Sequence, residues 1–185
     1  MKNFQRLALM LSFLSVIIAC QSELKEFQPE ADSLFKITFS NPTSWIWEEQ
    51  IPFDEPPPNV ELPPSERIIL QNGSLENGTI AIQVYYEMST SLAKIKDGMD
   101  TYFDDSAYKV LTNTTLQIDG YDARWFTLSG VAYLAQSTIA IQPEIIYLFT
   151  EDRYYTIDFD ILESERDGSF HKQFEELIKS IKILP

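Results

Sequence analysis

The residue in this sequence with the clearest chemistry is its only cysteine, Cys20, which lies in the segment SVIIACQS. A disulfide would need a second cysteine, and the chain contains none. A catalytic or metal-binding thiolate would need a nearby base or further ligands, and the only histidine, His171, lies near the other end of the chain. Covalent attachment of a lipid is the third possible reaction, and the residues before Cys20 favour it.

Residues 1–19 have the organisation of a bacterial signal peptide. Lys2 and Arg6 give a positively charged start, and the residues from 7 to 19 carry no charge. This apolar run is shorter than the roughly 20 residues that a membrane-spanning helix requires. Its end, IIA followed by Cys20, resembles the bacterial lipobox, which implies transfer of diacylglycerol to the Cys20 thiol and cleavage after Ala19. An ordinary secretory signal with an unrelated cysteine is the alternative.

These features predict a lipid-anchored, extracytoplasmic protein with three segments. Residues 1–19 would be the lipoprotein signal peptide, residues 20–33 the lipidated N-terminus with a flexible polar tether, and residues 34–185 a single domain. The anchor would lie in the plasma membrane or in the inner leaflet of an outer membrane. The chain's net charge of −14 disfavours nucleic acid as a partner and repels anionic headgroups, so we expect the domain to contact the membrane through its lipid.

The pattern after residue 34 predicts an α+β fold with a mostly antiparallel sheet. Alternating segments such as LFKITF and YYTIDFDI indicate half-buried strands, and turn residues at Asp119-Gly120 and Glu151-Asp152 indicate two hairpins. Helical spacing predicts one helix in STSLAKIKDGMDTYFDD and a closing helix in GSFHKQFEELIKSIKIL. The apolar stripe of the closing helix comprises Phe170, Phe174, Leu177, Ile178 and Ile181.

No catalytic residue, cofactor or metal is predicted. His171 lies at the edge of the closing helix's apolar stripe, no G-x-S-x-G elbow occurs, and a solvated surface histidine is the expected state. The sequence contains no Walker A or G-x-G-x-x-G loop, which leaves nucleotide cofactors without support, and it has too few histidines and cysteines for a zinc site.

Two sets of carboxylates could bind calcium weakly. Asp97, Asp100 and Asp104 would lie on one face of the first helix, and Asp158 and Asp160 share one side of a strand. Neither set matches an EF-hand loop, and a solvated acidic face is the usual state of such clusters.

Partner contacts are predicted at two places. The segment FDEPPPNVELPPSE has five prolines and is either a docking segment for an aromatic-lined groove or a stiff insertion. Just before it, two tryptophans would share a face if the chain there is extended. The candidate contact residues are Trp45, Trp47, Pro56, Pro57, Pro58, Pro63 and Pro64.

The order of segments resembles the PsbP-like family. The similarity rests on FKITFSNPTSW, MSTSLAKIKD, LQIDGYDARWFTLSG, EDRYYTIDFDI and FEELIKSIKIL, and it covers the chain from about Leu34 to Leu184. It implies an α/β/α sandwich shared by PsbP-like, Mog-like and DcrB-like domains. It also implies a non-enzymatic protein, since family members are photosystem II accessory proteins, a binder of a small GTPase, or a bacterial lipoprotein.

A photosystem role is not expected, because this chain carries the EPPPNVELPP insertion and a single histidine. The leading hypothesis is therefore a lipid-anchored accessory protein that binds an unidentified partner at a membrane surface. The alternative is a lipoprotein that binds a small ligand, a glycan or calcium.

Overall fold

An antiparallel sheet of eight strands forms the centre of the molecule. The computed structural model describes residues 24–42, 45–48, 65–71, 78–86, 89–101, 103, 107–134 and 137–185. The strands of this sheet are β3 Ile46–Glu48, β4 Ser65–Gln71, β5 Thr79–Tyr86, β6 Lys109–Ile118, β7 Tyr121–Leu134, β8 Ser137–Ile141, β9 Glu144–Phe149 and β10 Arg153–Asp160. Seven of them lie in the order β3-β4-β5-β10-β9-β7-β6, and β8 pairs with the end of β7.

Alternation along the central strands gives the sheet two faces. Tyr155, Ile157 and Phe159 of β10 are fully buried on one face, while Asp158 and Asp160 take the other. This is the division that the sequence predicts for the strand.

A helix covers each face. Among the described residues the α-helices are α1, Ser89–Gly98, followed by a 3₁₀ turn at Met99–Thr101, and α2, Ser169–Ser180, preceded by a 3₁₀ turn at Glu163–Glu165. Phe174 of α2 packs in one core cluster with Ile146 of β9, whereas Met99 packs in a second cluster with Tyr147 of β9. Because neighbouring residues of a strand point to opposite faces, the two helices lie on opposite sides of the sheet. The predicted α/β/α arrangement of an α+β fold is confirmed.

A smaller sheet joins both ends of the described chain. It contains β1 Leu24–Phe27, β2 Ile37–Pro42 and β11 Lys182–Ile183, in the order β1-β2-β11. The prediction of a flexible tether through residue 33 is therefore wrong for β1. The physical reason is an aromatic contact, because the ring of Phe27 stacks on that of Phe39 with centroids 4.9 Å apart. This contact orders a segment whose composition is mostly polar.

Both predicted helices are shorter than their apolar patterns indicate. Helix α1 ends at Gly98, and helix α2 ends at Ser180 because Ile181 adopts an extended conformation with ψ of 131°. The residues after Ile181 pair with β2, and the Leu184 amide donates to the Lys36 carbonyl at 2.8 Å.

Both predicted hairpins are confirmed. Asp119 and Gly120 have φ of 49° and 86°, which is the pair of left-handed conformations that a tight two-residue turn requires. In the second hairpin, which joins β9 to β10, the Thr150 amide donates to the Arg153 carbonyl at 2.9 Å.

Candidate functional site

Strand β6 presents an open strand edge at one end of the central sheet. It pairs with β7 on one side, and no strand among the described residues pairs with its other side. Its ten residues, KVLTNTTLQI, include one charge, at Lys109, and no proline. Native proteins usually protect such an edge with charges, prolines or short length, because its unpaired N–H and C=O groups can pair with another chain.

Exposed apolar side chains gather at the start of the same edge. Among the described residues five large hydrophobic side chains are exposed, and four of them lie here, with exposed fractions between 38% and 51%: Tyr108, Val110, Leu111 and Val131. The fifth, Ile46, lies on β3 at the opposite end of the strand order. We call β6 together with these four residues the edge surface. Clusters of exposed apolar residues are typical of sites that contact another protein.

The glycine opposite the edge surface explains how Tyr108 is placed. A Cβ atom on Gly130 would lie 2.6 Å from Tyr108 Cδ1, closer than such atoms approach. The absence of a side chain at Gly130 therefore lets the aromatic ring lie against β7. The ring is positioned by this contact although it remains exposed to solvent.

Side-chain hydrogen bonds hold β6 to its neighbours. The Thr112 hydroxyl donates to the Thr127 hydroxyl at 2.9 Å, and Arg124 Nη1 donates to the Thr115 hydroxyl at 2.8 Å. Arg124 also forms an ion pair with Asp100, which follows α1. Because these bonds join β6 to β7 and to the α1 region, the edge is ordered before any partner arrives.

The only histidine belongs to a different cluster, in the interior between α2 and the sheet. His171 Nε2 lies 2.8 Å from Glu144 Oε1, and the indole N–H of Trp125 donates to Glu144 Oε2 at 2.7 Å. The Glu144 side chain is almost fully buried. The prediction that His171 is a solvated surface residue is therefore wrong, because a buried carboxylate on β9 draws the imidazole against the sheet.

This cluster ties helix α2 to the sheet. Each oxygen of Glu144 has a hydrogen-bond partner, and the ring of His171 also packs near that of Phe159, with centroids 6.3 Å apart. No serine, threonine or cysteine among the described residues is bonded to His171. The contacts are those of a structural clamp, in which a buried charge is satisfied by two donors.

A row of polar residues crosses the face of the sheet that α1 also packs on. Arg67 of β4 lies opposite Gln83 of β5, and Asp158 and Asp160 follow on β10. Burial, together with the negative charge of Asp160, raises the pKa of Asp158 to about 6, although the Arg67 cation opposes that rise. Neighbouring protein atoms also raise the pKa of Asp160 by partly desolvating its carboxyl, although the residue is exposed at the surface. Gln83 is 7% exposed, and neither its Nε2 nor Arg67 Nε has a hydrogen-bond partner among the described residues.

Of the predicted contact residues, the structure describes Trp45 and the backbone of Trp47. Trp45 is 3% exposed, its indole N–H donates to Gln173 Oε1 at 2.6 Å, and its ring meets that of Phe170 edge to face. An indole in this position is part of the protein interior, and little of its surface is accessible to a partner. Trp47 pairs through its backbone with Leu70, and the structure does not describe its side chain.

The remaining predicted site residues lie outside the described ranges: Cys20, Pro56, Pro57, Pro58, Pro63 and Pro64. Of the acidic sets, Asp104 is also outside them, and Asp100 pairs with Arg124. Among the residues that the structure describes, no three histidine, cysteine or acidic side chains form a group able to hold a metal. None of the helices described is both long enough and apolar enough to span a membrane.

A cleft of about 380 Å³ opens beside the second hairpin. Three of its polar side chains are engaged within the protein: the Tyr155 hydroxyl accepts from the Lys36 amide at 3.0 Å, and the guanidinium of Arg153 bonds both oxygens of Asp152. The Arg153 cation lowers the pKa of Asp152, and burial raises that of Tyr155. These groups stabilise the hairpin rather than converge on the cleft.

The edge surface carries no distinctive local sequence motif. The sequence of β6 is a run of ten residues with a single charge, and this composition is equally typical of an interior strand. Only the strand order shows that β6 lies at an edge.

No family model and no curated protein matches this sequence. Among solved structures, a protein from Bacteroides thetaiotaomicron aligns with a TM-score of 0.51 and 13% identity, over 87% of this chain and 48% of that protein, so this chain spans about half its length. CyanoP, the PsbP protein of the cyanobacterium Synechocystis sp. PCC 6803, aligns with a TM-score of 0.50 and 10% identity, over 89% of this chain and 95% of CyanoP. LpqN of Mycobacterium tuberculosis, which is involved in cell envelope biogenesis, aligns with a TM-score of 0.48 and 10% identity over 88% of this chain and 92% of LpqN. At these identities the likeness is one of fold, and the chain has the PsbP-like α+β fold.

Proposed function

We propose that this chain is a lipid-anchored, extracytoplasmic accessory protein that binds a protein partner through the edge surface and catalyses no reaction. The observation that carries the proposal is the gathering of four exposed apolar side chains beside an open strand edge. Such surfaces bind other polypeptides by burying apolar area and by adding a strand to the sheet.

The membrane part of the proposal rests on the sequence. The signal-like N-terminus and the IIA-Cys20 segment would give the mature protein a diacylglyceryl anchor. Two or more acyl chains hold a protein stably, since each buried CH₂ contributes roughly 0.8 kcal/mol. The acidic domain would then stand away from the headgroups and present the edge surface to a neighbouring protein.

The anchor is tested by fractionating cells that express the full chain or its Cys20→Ser variant. We expect the wild-type chain in the membrane fraction and the variant in the soluble extracytoplasmic fraction. A Cys20→Ser chain that stays with the membrane would disprove lipid attachment at this residue.

The contact surface is tested by chemical cross-linking in intact cells, followed by purification of the tagged chain. Leu111→Glu or Val131→Glu places a charge in the edge surface, and we expect either change to abolish recovery of the cross-linked partner. Ile46→Glu is the matched control, because Ile46 is also an exposed apolar residue but lies at the opposite end of the sheet. Equal recovery from all three variants would refute the assignment of this surface.

The second candidate function is binding of a small polar ligand such as a glycan. It is favoured by the polar row, where Gln83 Nε2 and Arg67 Nε are buried donors and Asp158 and Asp160 are acceptors for ligand hydroxyl groups. Calcium fits less well, because the Arg67 cation lies close enough to act on both carboxylates. Thermal unfolding with a glycan panel and with calcium tests this function, and a glycan shift that persists in Gln83→Leu would place the ligand elsewhere.

A further inference from the structure

We infer that the edge surface binds a second copy of this chain, with two β6 strands pairing antiparallel across a twofold axis near Thr114. The inference rests on the proposed use of the edge surface for binding and names its occupant. The result would be one continuous sheet through both copies, with the outward N–H and C=O groups of each β6 bonded to the other.

The sequence of β6 is compatible with itself in this register. Beyond the irregularity in its pairing with β7 between Val110 and Thr112, the strand runs regularly to Ile118. Antiparallel pairing centred on Thr114 places Thr112 opposite Leu116 and Asn113 opposite Thr115 of the other copy. No like charges then lie opposite each other, and threonine is favoured in strands.

Charge at the ends of the strand also fits a second copy. Lys109, the one charged residue of β6, lies at the opposite end of the strand from the turn at Asp119, so antiparallel pairing brings it toward that turn of the other copy. Asp119 already forms an ion pair with Lys182 Nζ at 2.9 Å and accepts from the Ile183 amide at 2.9 Å, so Lys109 of the other copy would be a second cation beside this carboxylate. The twofold axis repeats this contact, so a lysine of one copy lies near an aspartate of the other at each end of the interface.

The overall acidity of the chain opposes association, and this has a measurable consequence. Two chains of charge −14 repel each other, but that repulsion is screened beyond about 8 Å at physiological ionic strength. The paired strands themselves carry few charges. We therefore expect the dimer to become stronger as salt is added, which is the opposite of what an interface held mainly by ion pairs would show.

Disulfide trapping in intact cells tests the register. Residues directly opposite in an antiparallel pair have Cβ atoms about 4.5–5.5 Å apart, close enough for a disulfide after a small adjustment. We expect the full-length Thr114→Cys chain to form a covalent dimer when a mild oxidant is added. Asp167→Cys, at an exposed site before α2, and the wild-type chain with Cys20 alone are the controls, and we expect both to remain monomeric.

A charge variant tests the interface without a new cysteine. Thr114 is exposed, so Thr114→Lys leaves the fold intact while placing two ammonium groups opposite each other on the twofold axis. Self-association is measured by sedimentation equilibrium of the detergent-solubilised full chain. We expect the dissociation constant of the dimer to rise at least about tenfold in Thr114→Lys, which corresponds to a loss of about 1.4 kcal/mol in the free energy of association. Thr114→Val should retain self-association.

The outcomes separate this inference from the proposed function. Absence of the covalent dimer in the Thr114→Cys chain, or self-association unchanged in Thr114→Lys, overturns the second copy as occupant. If a different membrane protein is then cross-linked and is lost in Leu111→Glu, the proposed function stands with another partner. If neither a second copy nor another protein is trapped, both proposals fall.

Discussion

Replacement of Asp158 by asparagine should stabilise the protein at neutral pH. The pKa of this carboxyl is raised from 3.8 to about 6, which means that the folded state disfavours the charged form. A tenfold change in proton affinity corresponds to about 1.4 kcal/mol. The rise from 3.8 to about 6 is a change of roughly a hundredfold, so the charged carboxylate destabilises the folded state by up to about 3 kcal/mol. Asparagine has the same shape without the charge, and it removes that cost.

The sign of the pH dependence follows from the raised pKa. The folded protein binds the proton of Asp158 more tightly than the unfolded chain does, so the contribution of this residue to stability is greatest below about pH 4. It is lost as the pH rises through about 6. The Asp158→Asn variant should therefore match the wild-type protein near pH 4 and exceed it above pH 6.

The assay is urea unfolding of the wild-type chain and the variant at a series of pH values, with the free energy of unfolding extrapolated to water. Two further variants act as controls with opposite signs. Asp160→Asn removes a negative charge that raises the pKa of Asp158 and should stabilise the protein slightly at pH 7.5, whereas Arg67→Gln removes a helpful cation and should destabilise it. A difference between Asp158→Asn and wild type that does not change with pH would refute the reasoning.

Three further substitutions test the packing. His171→Ala should cost roughly 1–3 kcal/mol in the free energy of unfolding, since it leaves one oxygen of the buried Glu144 carboxylate without its donor, and Glu144→Gln in the same chain should reduce that cost. Gly120→Ala should cost about 1 kcal/mol through backbone strain alone, because φ is 86° and no atom lies within 4 Å of the added Cβ; Gly120→Asn should be better tolerated. Phe174→Ala should cost about 3–5 kcal/mol, because the ring is fully buried and stacks on Phe159 with centroids 4.5 Å apart. The free energy of unfolding of each variant is measured with denaturant. A free energy within experimental error of that of the wild-type protein would contradict the contact or the backbone strain on which the prediction rests.

Local patterns predict the regular elements of this fold well. The turn at Asp119-Gly120 is determined by two adjacent residues that tolerate positive φ, and the inward face of α2 is determined by the spacing of Phe174, Leu177 and Ile178. Such signals lie within a few residues of one another, so a single sequence contains them.

Several features that local patterns do not predict involve partners that are distant in the chain. His171 is drawn inward by Glu144, 27 positions earlier, and Trp45 is buried by a hydrogen bond to Gln173, 128 positions later. Strand β1 depends on Phe27 meeting Phe39 across a turn. Each of these residues lies in a segment whose local pattern indicates exposure. Its burial depends on a contact with a distant residue, which the periodicity of the sequence does not encode.

The edge surface is the extreme case of such long-range dependence. The residues of β6 have the composition of an interior strand, and it is the order of strands in the described part of the chain that leaves one of its edges open. An interior composition at an edge position conflicts with the protection that natural sheets give their edges. Pairing with a second copy resolves that conflict, because it makes β6 an interior strand of a larger sheet. The uncharged run from Val110 to Ile118 is then explained by the position that the strand occupies in the dimer rather than in the single chain.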